Sequence, residues 1–420
     1  MTALPNVVVL GGGFASLESA FLLNHLMRGE VNLTLVADQP DFVFRPNLVY
    51  VPFGTDPAAC ALPITECVAR KAITLLEDRA TTVDPAAHTV TLAGGAVLPY
   101  DKLIIGTGCL AHDGGIPGLA AHGVGTHHID ELLELRKRVA EAVHKGMRGE
   151  PHKVLFVLPP GNLCPSTFYE LMFMLEVWLT RHNARETVEI TLATPEESVL
   201  EVFGDRVHDL LSERMFRRDM RCFLAETLVR VEPGAAHFAS GRAIAFDQLV
   251  YAPVHTGRGG LGPLPTDERG FVLTEGGTRR VVGQPDIYAP GDGGDFPLKE
   301  PFLAFLEADA VAEIVQAELE NKSTHAAFDP LFVGVMEAFD TGIFVAAPLR
   351  RTAQEGKPLE LDHSRIEAYR VGQSGLWRHG KKLLATMLPL RFRAGEPFHA
   401  GTAWKLLDIG LESMASVLSS

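Results

Sequence analysis

Close to the amino terminus, Val7 to Leu10 form an apolar, mostly β-branched run that passes directly into Gly11, Gly12 and Gly13. An apolar-periodic stretch follows from Leu17 to Met27. The sequence predicts a strand buried on both faces, a glycine turn and a helix. This order is demanding, because the turn must be tight and the helix must lie against the strand it has just left. In a dinucleotide fold Gly11 permits the turn, Gly13 lets the backbone approach a pyrophosphate, and the helix amino terminus offers free N–H groups and a partial positive charge. Gly11, Gly12, Gly13, Phe14, Ala15 and Ser16 are therefore candidate contacts, with Ser16, a small residue, standing where the pattern has its third glycine. Taken alone, the segment also fits a glycine turn in an ordinary α/β unit.

Later segments decide between these readings. Val31 to Val36 reads as a second strand with Asp38 just beyond its end, where an acid accepts a hydrogen bond from a ribose hydroxyl; a plain loop aspartate is the alternative. The aromatic stretch Asp41 to Gly54 carries Arg45 and Pro46, placed to meet a flavin's pyrophosphate and isoalloxazine unless the stretch is only a hydrophobic loop. Thr74 to Asp84 reads as a strand and turn that bring the backbone of Ala80 near an adenine. Tyr100 to Gly108 is a short apolar strand ending in Thr107 and Gly108, and Ile287 to Asp292 is another whose end delivers Gly291 and Asp292. An aspartate there can bind a ribityl hydroxyl, and the helix opening at Pro301 and Phe302 aims its positive end at the flavin ring. Three such segments in this order are much more specific than one.

Composition narrows the partners. A chain of 420 residues with 46% hydrophobic and 21% charged residues should form two or three globular domains. The net charge of -14 and the lack of a basic run exclude a nucleic-acid partner. A strand so soon after Met1 leaves no room for a secretory leader, and five cysteines without a C-x-x-C pair predict free thiols in the cytoplasm and no metal site.

The set GGGFAS (Gly11 to Ser16), IIGTG (Ile104 to Gly108) and IYAPGD (Ile287 to Asp292) resembles the FAD-dependent pyridine nucleotide-disulfide oxidoreductase superfamily. Phe44 to Gly54, Val154 to Glu170 and Gly395 to Leu411 resemble its sulfide:quinone oxidoreductase and flavocytochrome c sulfide dehydrogenase branch, with type II NADH dehydrogenases as cousins. The resemblance implies an α/β fold with two Rossmann-like dinucleotide-binding domains. The FAD domain would be discontinuous, at residues 1–115 and 248–330, the second domain would span 116–247, and a small mixed carboxy-terminal region, 331–420, would form an interface or acceptor site.

The second domain departs from a nicotinamide site. The strand Lys153 to Leu158 leads not into a second glycine fingerprint but into Pro159-Pro160-Gly161-Asn162-Leu163-Cys164-Pro165, whose prolines remove backbone donors. The sequence predicts no tight NAD(P)H binding. Cys164 stands where the resembling enzymes carry one redox cysteine, but Met336 and His127 stand where the resemblance places others, and a thioether cannot supply a thiolate. The expected protein is an FAD-dependent oxidoreductase that passes two electrons from a small-molecule donor to a quinone or similar acceptor, without the usual two-thiol sulfide mechanism. Two alternatives stay open: a type II NADH:quinone oxidoreductase, and a non-catalytic FAD-binding protein in which Cys164 is an inert packed thiol. The helix from Thr402 to Leu418 corresponds in the resembling enzymes to a quinone pocket and a peripheral contact with the inner face of a membrane; a core helix or a homodimer interface is the other reading.

Overall fold

The computed structural model describes residues 3–259, 261–354 and 357–419, apart from the side chains at 402, 403, 406–408 and 412. Its first sheet is wholly parallel, in the order Ile287–Tyr288, Lys102–Ile105, Asn6–Leu10, Asn32–Ala37 and Ile73–Glu77. The central strand is apolar on both faces because both are covered, Val7 to Leu10 being no more than 2% exposed. The helices Phe14–Met27 and Pro301–Leu319 pack together on one face. Gly11 takes a φ of +106°, and a Cβ there would stand 2.6 Å from the Gly106 carbonyl oxygen, so the turn admits only glycine.

Ser16 closes this unit. Its Oγ donates to the carbonyls of Leu10 and Gly106, each at 3.0 Å, and so ties the helix to the ends of two neighbouring strands. Gly106 must in turn lack a side chain, since a Cβ there would fall 2.2 Å from the Ser16 Oγ.

The second sheet is also parallel, in the order Gly123–Gly125, Gln248–Tyr251, His152–Val157, Val188–Ala193 and Met220–Phe223. Helices Ile129–Met147, Pro165–Arg181 and Asp205–Arg217 connect its strands. The chain enters this sheet after Cys109–His112 and leaves it into Val254–Gly257, and these two connectors pair antiparallel as one ribbon. The architecture is α/β with two Rossmann-type sheets.

The carboxy-terminal region is an antiparallel sheet of Leu331–Glu337, Gly342–Arg351, Leu359–Leu361 and Arg370–Ser374, followed by helices Gly375–Arg393 and Gly401–Leu418. Two details differ from the sequence reading. The run Ile366 to Val371, which reads as a strand in the sequence, is divided: Ile366 lies in the short 3-10 helix His363–Ala368 and the strand starts at Arg370. The stretch Gly375–Arg393 is a nineteen-residue helix that the sequence masked, because Gly380 and Pro389 interrupt its interior. Its apolar face nevertheless packs: Trp377 stacks on Phe344 at 4.0 Å, and Leu388 and Phe392 are buried one turn apart.

Candidate active site

One cavity of about 920 Å³ opens along the carboxyl ends of the first sheet and continues to the two last helices. At such a sheet edge each strand delivers the residue that follows it. Gly11, Gly12, Gly13, Phe14 and Ala15 follow the central strand, Asp38 follows Asn32–Ala37, Thr107 and Gly108 follow Lys102–Ile105, and Asp292 follows Ile287–Tyr288; all line the cavity. So do Arg45 and Pro46, at the start of the 3-10 segment Arg45–Phe53, and Ala80 and Phe302. Two of the candidate cofactor contacts do not line it. Ser16 is spent on the packing described above, and the Gly291 N–H donates to Glu307 Oε2 at 2.7 Å inside the core. Glycine at 291 serves close approach, since its Cβ would meet that of Ala15 at 2.7 Å.

These residues suit FAD. The first-turn N–H groups at Phe14 and Ala15 have no helical acceptor and face an anion's position, with the Arg45 guanidinium lining the same space. Nothing lies within 4 Å of where a Cβ would stand at Gly13, so the room there is real and kept open. Asp292 sits deep beside Lys299 and Arg45; burial raises its carboxyl above the usual range and those two cations pull it back down. FAD is the cofactor these groups fit.

Beyond the cradle the cavity reaches Cys164, the residue just before the helix Pro165–Arg181. Its Sγ lies 3.5 Å from Glu300 Oε1 and 3.9 Å from Thr167 Oγ1, and Ser166 Oγ donates to the same Glu300 oxygen. Burial pushes the Cys164 thiol well above the ordinary range, and the negative Glu300 and Asp292 push it further. Burial also lifts Glu300 to about 7; hydrogen bonds from Ser166 and Cys164 hold it down, and Asp292 and Glu170 push it up. Met336 and His127 line this cavity too, so both positions that would carry the missing cysteines reach the site with other chemistry. His127 is neutral, held down at about 2 by burial, Arg45, His255 and His128, and its ring lies 6.1 Å from that of His255.

At the far end Glu170 pairs with Lys381, and its Oε1 also accepts the Glu337 N–H at 2.9 Å. Leu384, Leu388, Phe344, Phe398 and Trp404 are among the apolar residues that line the same cavity. Glu170, Lys381 and Glu300 escaped the sequence reading. For Glu170 a signal existed: Ser166 and Glu170 lie four apart on the helix Pro165–Arg181 and share one face. Lys381 comes from the masked helix, and Glu300 belongs to no motif.

The proline loop of the second domain is closed on itself. Asn162 N donates to Pro159 O at 3.3 Å, Leu163 N to His255 Nδ1 at 3.1 Å, and Cys164 N to Asn162 Oδ1 at 3.0 Å. Pro159, Pro160 and Pro165 have no N–H to give, so within the described residues only Gly161 keeps an unengaged donor in this loop. His255 is a fixed acceptor, because burial and the cations Lys299, Arg269 and Arg45 keep its ring neutral, down at about 3. The loop itself leaves a second pyrophosphate one free backbone donor, ahead of the first-turn N–H groups of Ser166 and Thr167.

Comparison with known proteins places this geometry. Residues 5–155 match the family model described as pyridine nucleotide-disulphide oxidoreductase. A sulfide-quinone reductase of Aquifex aeolicus is 29% identical over 192 residues, 46% of this chain and 43% of that protein, so the alignment spans less than half of either. An NADH dehydrogenase-like protein of Mycobacterium tuberculosis is 21% identical over 397 residues, covering 88% of this chain and 94% of that one. Among solved structures, the sulfide:quinone oxidoreductase from Aquifex aeolicus superposes with a TM-score of 0.83 at 20% identity, over 97% of this chain and 96% of that one. At that identity the superposition establishes the fold.

Proposed function

We propose, for a chain whose residues 5–155 match the pyridine nucleotide-disulphide oxidoreductase model, a flavoenzyme that takes two electrons from a small donor beside Cys164 and delivers them to a quinone. The observation that carries this reading is the single cavity that joins the glycine-turn cradle, the Cys164–Glu300 cluster and the apolar end at Lys381. FAD, when bound, accepts an electron pair and gives it up again. The chain's own groups do the rest. The glycine turn and Arg45 would hold the pyrophosphate, Asp38 a ribose, and Asp292 the ribityl chain. Lys381, paired with Glu170, would hold a proton where an apolar ring with carbonyl oxygens fits between Leu388, Phe344 and Trp404. Apolar walls there exclude water and favour a ring over an ion.

The relatives include NADH dehydrogenases, so nicotinamide is the rival donor. The closed proline loop argues against it, and an anaerobic titration of the flavin absorbance decides. NADH and NADPH are expected to leave the flavin oxidised, and a short-chain ubiquinone is expected to reoxidise flavin that has been reduced chemically. Bleaching by NADH within seconds would overturn the reading in favour of the dehydrogenase alternative. Reduced flavin that ubiquinone cannot reoxidise would leave only a flavin-binding protein.

No helix among the described residues is long and apolar enough to cross a membrane. A quinone site still calls for access to lipid, and Leu376, Leu383 and Leu390 are each more than half exposed on a helix that also carries Arg378, Lys382, Arg391 and Arg393. Apolar tips among cations suit a peripheral contact with anionic lipid. The protein should therefore co-sediment with anionic vesicles, and the pair Leu383→Glu and Leu390→Glu should weaken that at least several-fold; equal binding by the variant would remove the contact from this helix.

A further inference from the structure

Around Glu300 the cavity holds one thiol, Cys164; the other cavity thiol, Cys109, stands on the connector strand after Gly108, where burial raises it to about 12 and no hydrogen bond among the described residues ties it to Cys164. Glu300 supplies the base that such a site needs. It is 6% exposed, immediately precedes the helix Pro301–Leu319 and lines the cavity. Its two oxygens are used differently. Oε1 takes the hydrogen bond from Ser166 Oγ and the contact with Cys164 Sγ at 3.5 Å. Oε2 accepts no hydrogen bond among the described residues and is not one of the sealed-off polar atoms that lack a partner, so it opens on the cavity. A buried carboxylate oxygen left open beside a thiol is an acceptor waiting for a hydrogen that a ligand must bring.

We infer that Glu300 is a further catalytic residue of the donor half-reaction, whose Oε2 binds the S–H of a small sulfhydryl donor and takes its proton while Oε1 holds Cys164. This rests on the reading that the donor is oxidised at Cys164, and it names that donor's class: hydrogen sulfide or a small thiol, R–SH. In the step, Cys164–SH and R–SH lose their two S–H hydrogens and form Cys164–S–S–R, releasing two electrons and two protons. FAD, when bound, would be the oxidant that takes both electrons and one proton; the other proton is held at Glu300 Oε2. A second R–SH then attacks the outer sulfur, which restores Cys164–SH and releases R–S–S–R, so no second protein cysteine is needed.

Proton acceptance near neutral pH follows from the surroundings. Asp292 and Glu170 face Glu300 and raise it, Lys299 precedes it in the chain, and Lys381 offsets Glu170. A carboxyl that titrates near 7 is well matched to a base working at that pH. Because the carboxylate is the active form, donor oxidation is lost as the pH falls below about 7.

The test uses the anaerobic holoprotein with sodium sulfide and, separately, 2-mercaptoethanol, following flavin bleaching across pH 5.5–8.5. At least one probe is expected to bleach the wild type, with the rate falling below pH 7. Glu300→Gln should be slower by about 100-fold and lose that inflection, with Glu300→Asp between the two. A second readout needs no donor: iodoacetamide labelling of the Cys164 peptide, read by mass spectrometry, should be at least about tenfold faster in Glu300→Gln at pH 8, because the neighbouring negative charge is gone. Unchanged labelling, or unchanged bleaching with the same pH profile in Glu300→Gln, overturns the assignment. If neither sulfur compound bleaches the wild type while another small donor does and ubiquinone reoxidises it, the donor class is wrong and the oxidoreductase reading stands.

Discussion

Glu307→Ala is expected to lower the unfolding free energy by about 3 kcal/mol, the cost of leaving a buried arginine without its main partner. Arg279 is fully buried and Glu307 2% exposed, and they meet at 2.9 Å through Nε and Oε2. That same Oε2 accepts the Gly291 N–H, so one atom neutralises the guanidinium and anchors the loop that carries Asp292. Removing it leaves Arg279 only the longer contact with Asp295, at 3.4 Å, while its Nη1 already has no partner among the described residues. The loss should sit at the lower end of the range for broken buried pairs because Asp295 remains. Urea unfolding of the apoprotein measures it, and a change below about 1 kcal/mol would mean that Asp295 alone suffices. The double substitution Arg279→Met with Glu307→Leu should recover much of the loss, since no charge is then left behind. Flavin content should fall in the single variant as well, through the freed Gly291 loop.

Gly13→Val is expected to separate cofactor binding from folding. A Cβ there would meet nothing in the protein within 4 Å, at a φ of -92° that valine tolerates, and the side chain would project into the space that the pyrophosphate requires. The apoprotein should unfold at the wild-type urea midpoint, while FAD affinity drops by about 100-fold, or about 2.7 kcal/mol. Gly11→Val makes the contrasting case: its collision with the Gly106 carbonyl lies within the backbone, so it should fail in folding before cofactor binding can be asked about. Equal FAD affinity in Gly13→Val, by fluorescence titration, would place the pyrophosphate elsewhere.

The strand, turn and helix at the amino terminus could be read from the chain because their requirements are local. Buried β-branched runs and a positive-φ glycine announce themselves within a few residues. The same locality explains why Asp38, Thr107, Gly108 and Asp292 could be placed at one sheet edge: each follows a readable strand. Ser16 shows the limit. Its smallness was legible, but only the distant Gly106 carbonyl reveals that its hydroxyl serves packing and not the cavity. Lys381 and Glu300 meet partners far apart in sequence, and no periodicity carries that information; Glu170 had only its helical spacing from Ser166 to mark it. The helix Gly375–Arg393 was hidden for a different reason, since Pro389 and Gly380 cost it local propensity that tertiary burial of Trp377, Leu388 and Phe392 restores.

The closed proline loop has a metabolic meaning. With the N–H groups of Asn162, Leu163 and Cys164 committed to Pro159, His255 and Asn162, the turn where a nicotinamide site would carry its glycine fingerprint keeps only the Gly161 donor among the described residues. Under the proposed function, flux would answer to the supply of donor and oxidised acceptor, and would neither stall when a cell's NADH is scarce nor slow when it is abundant.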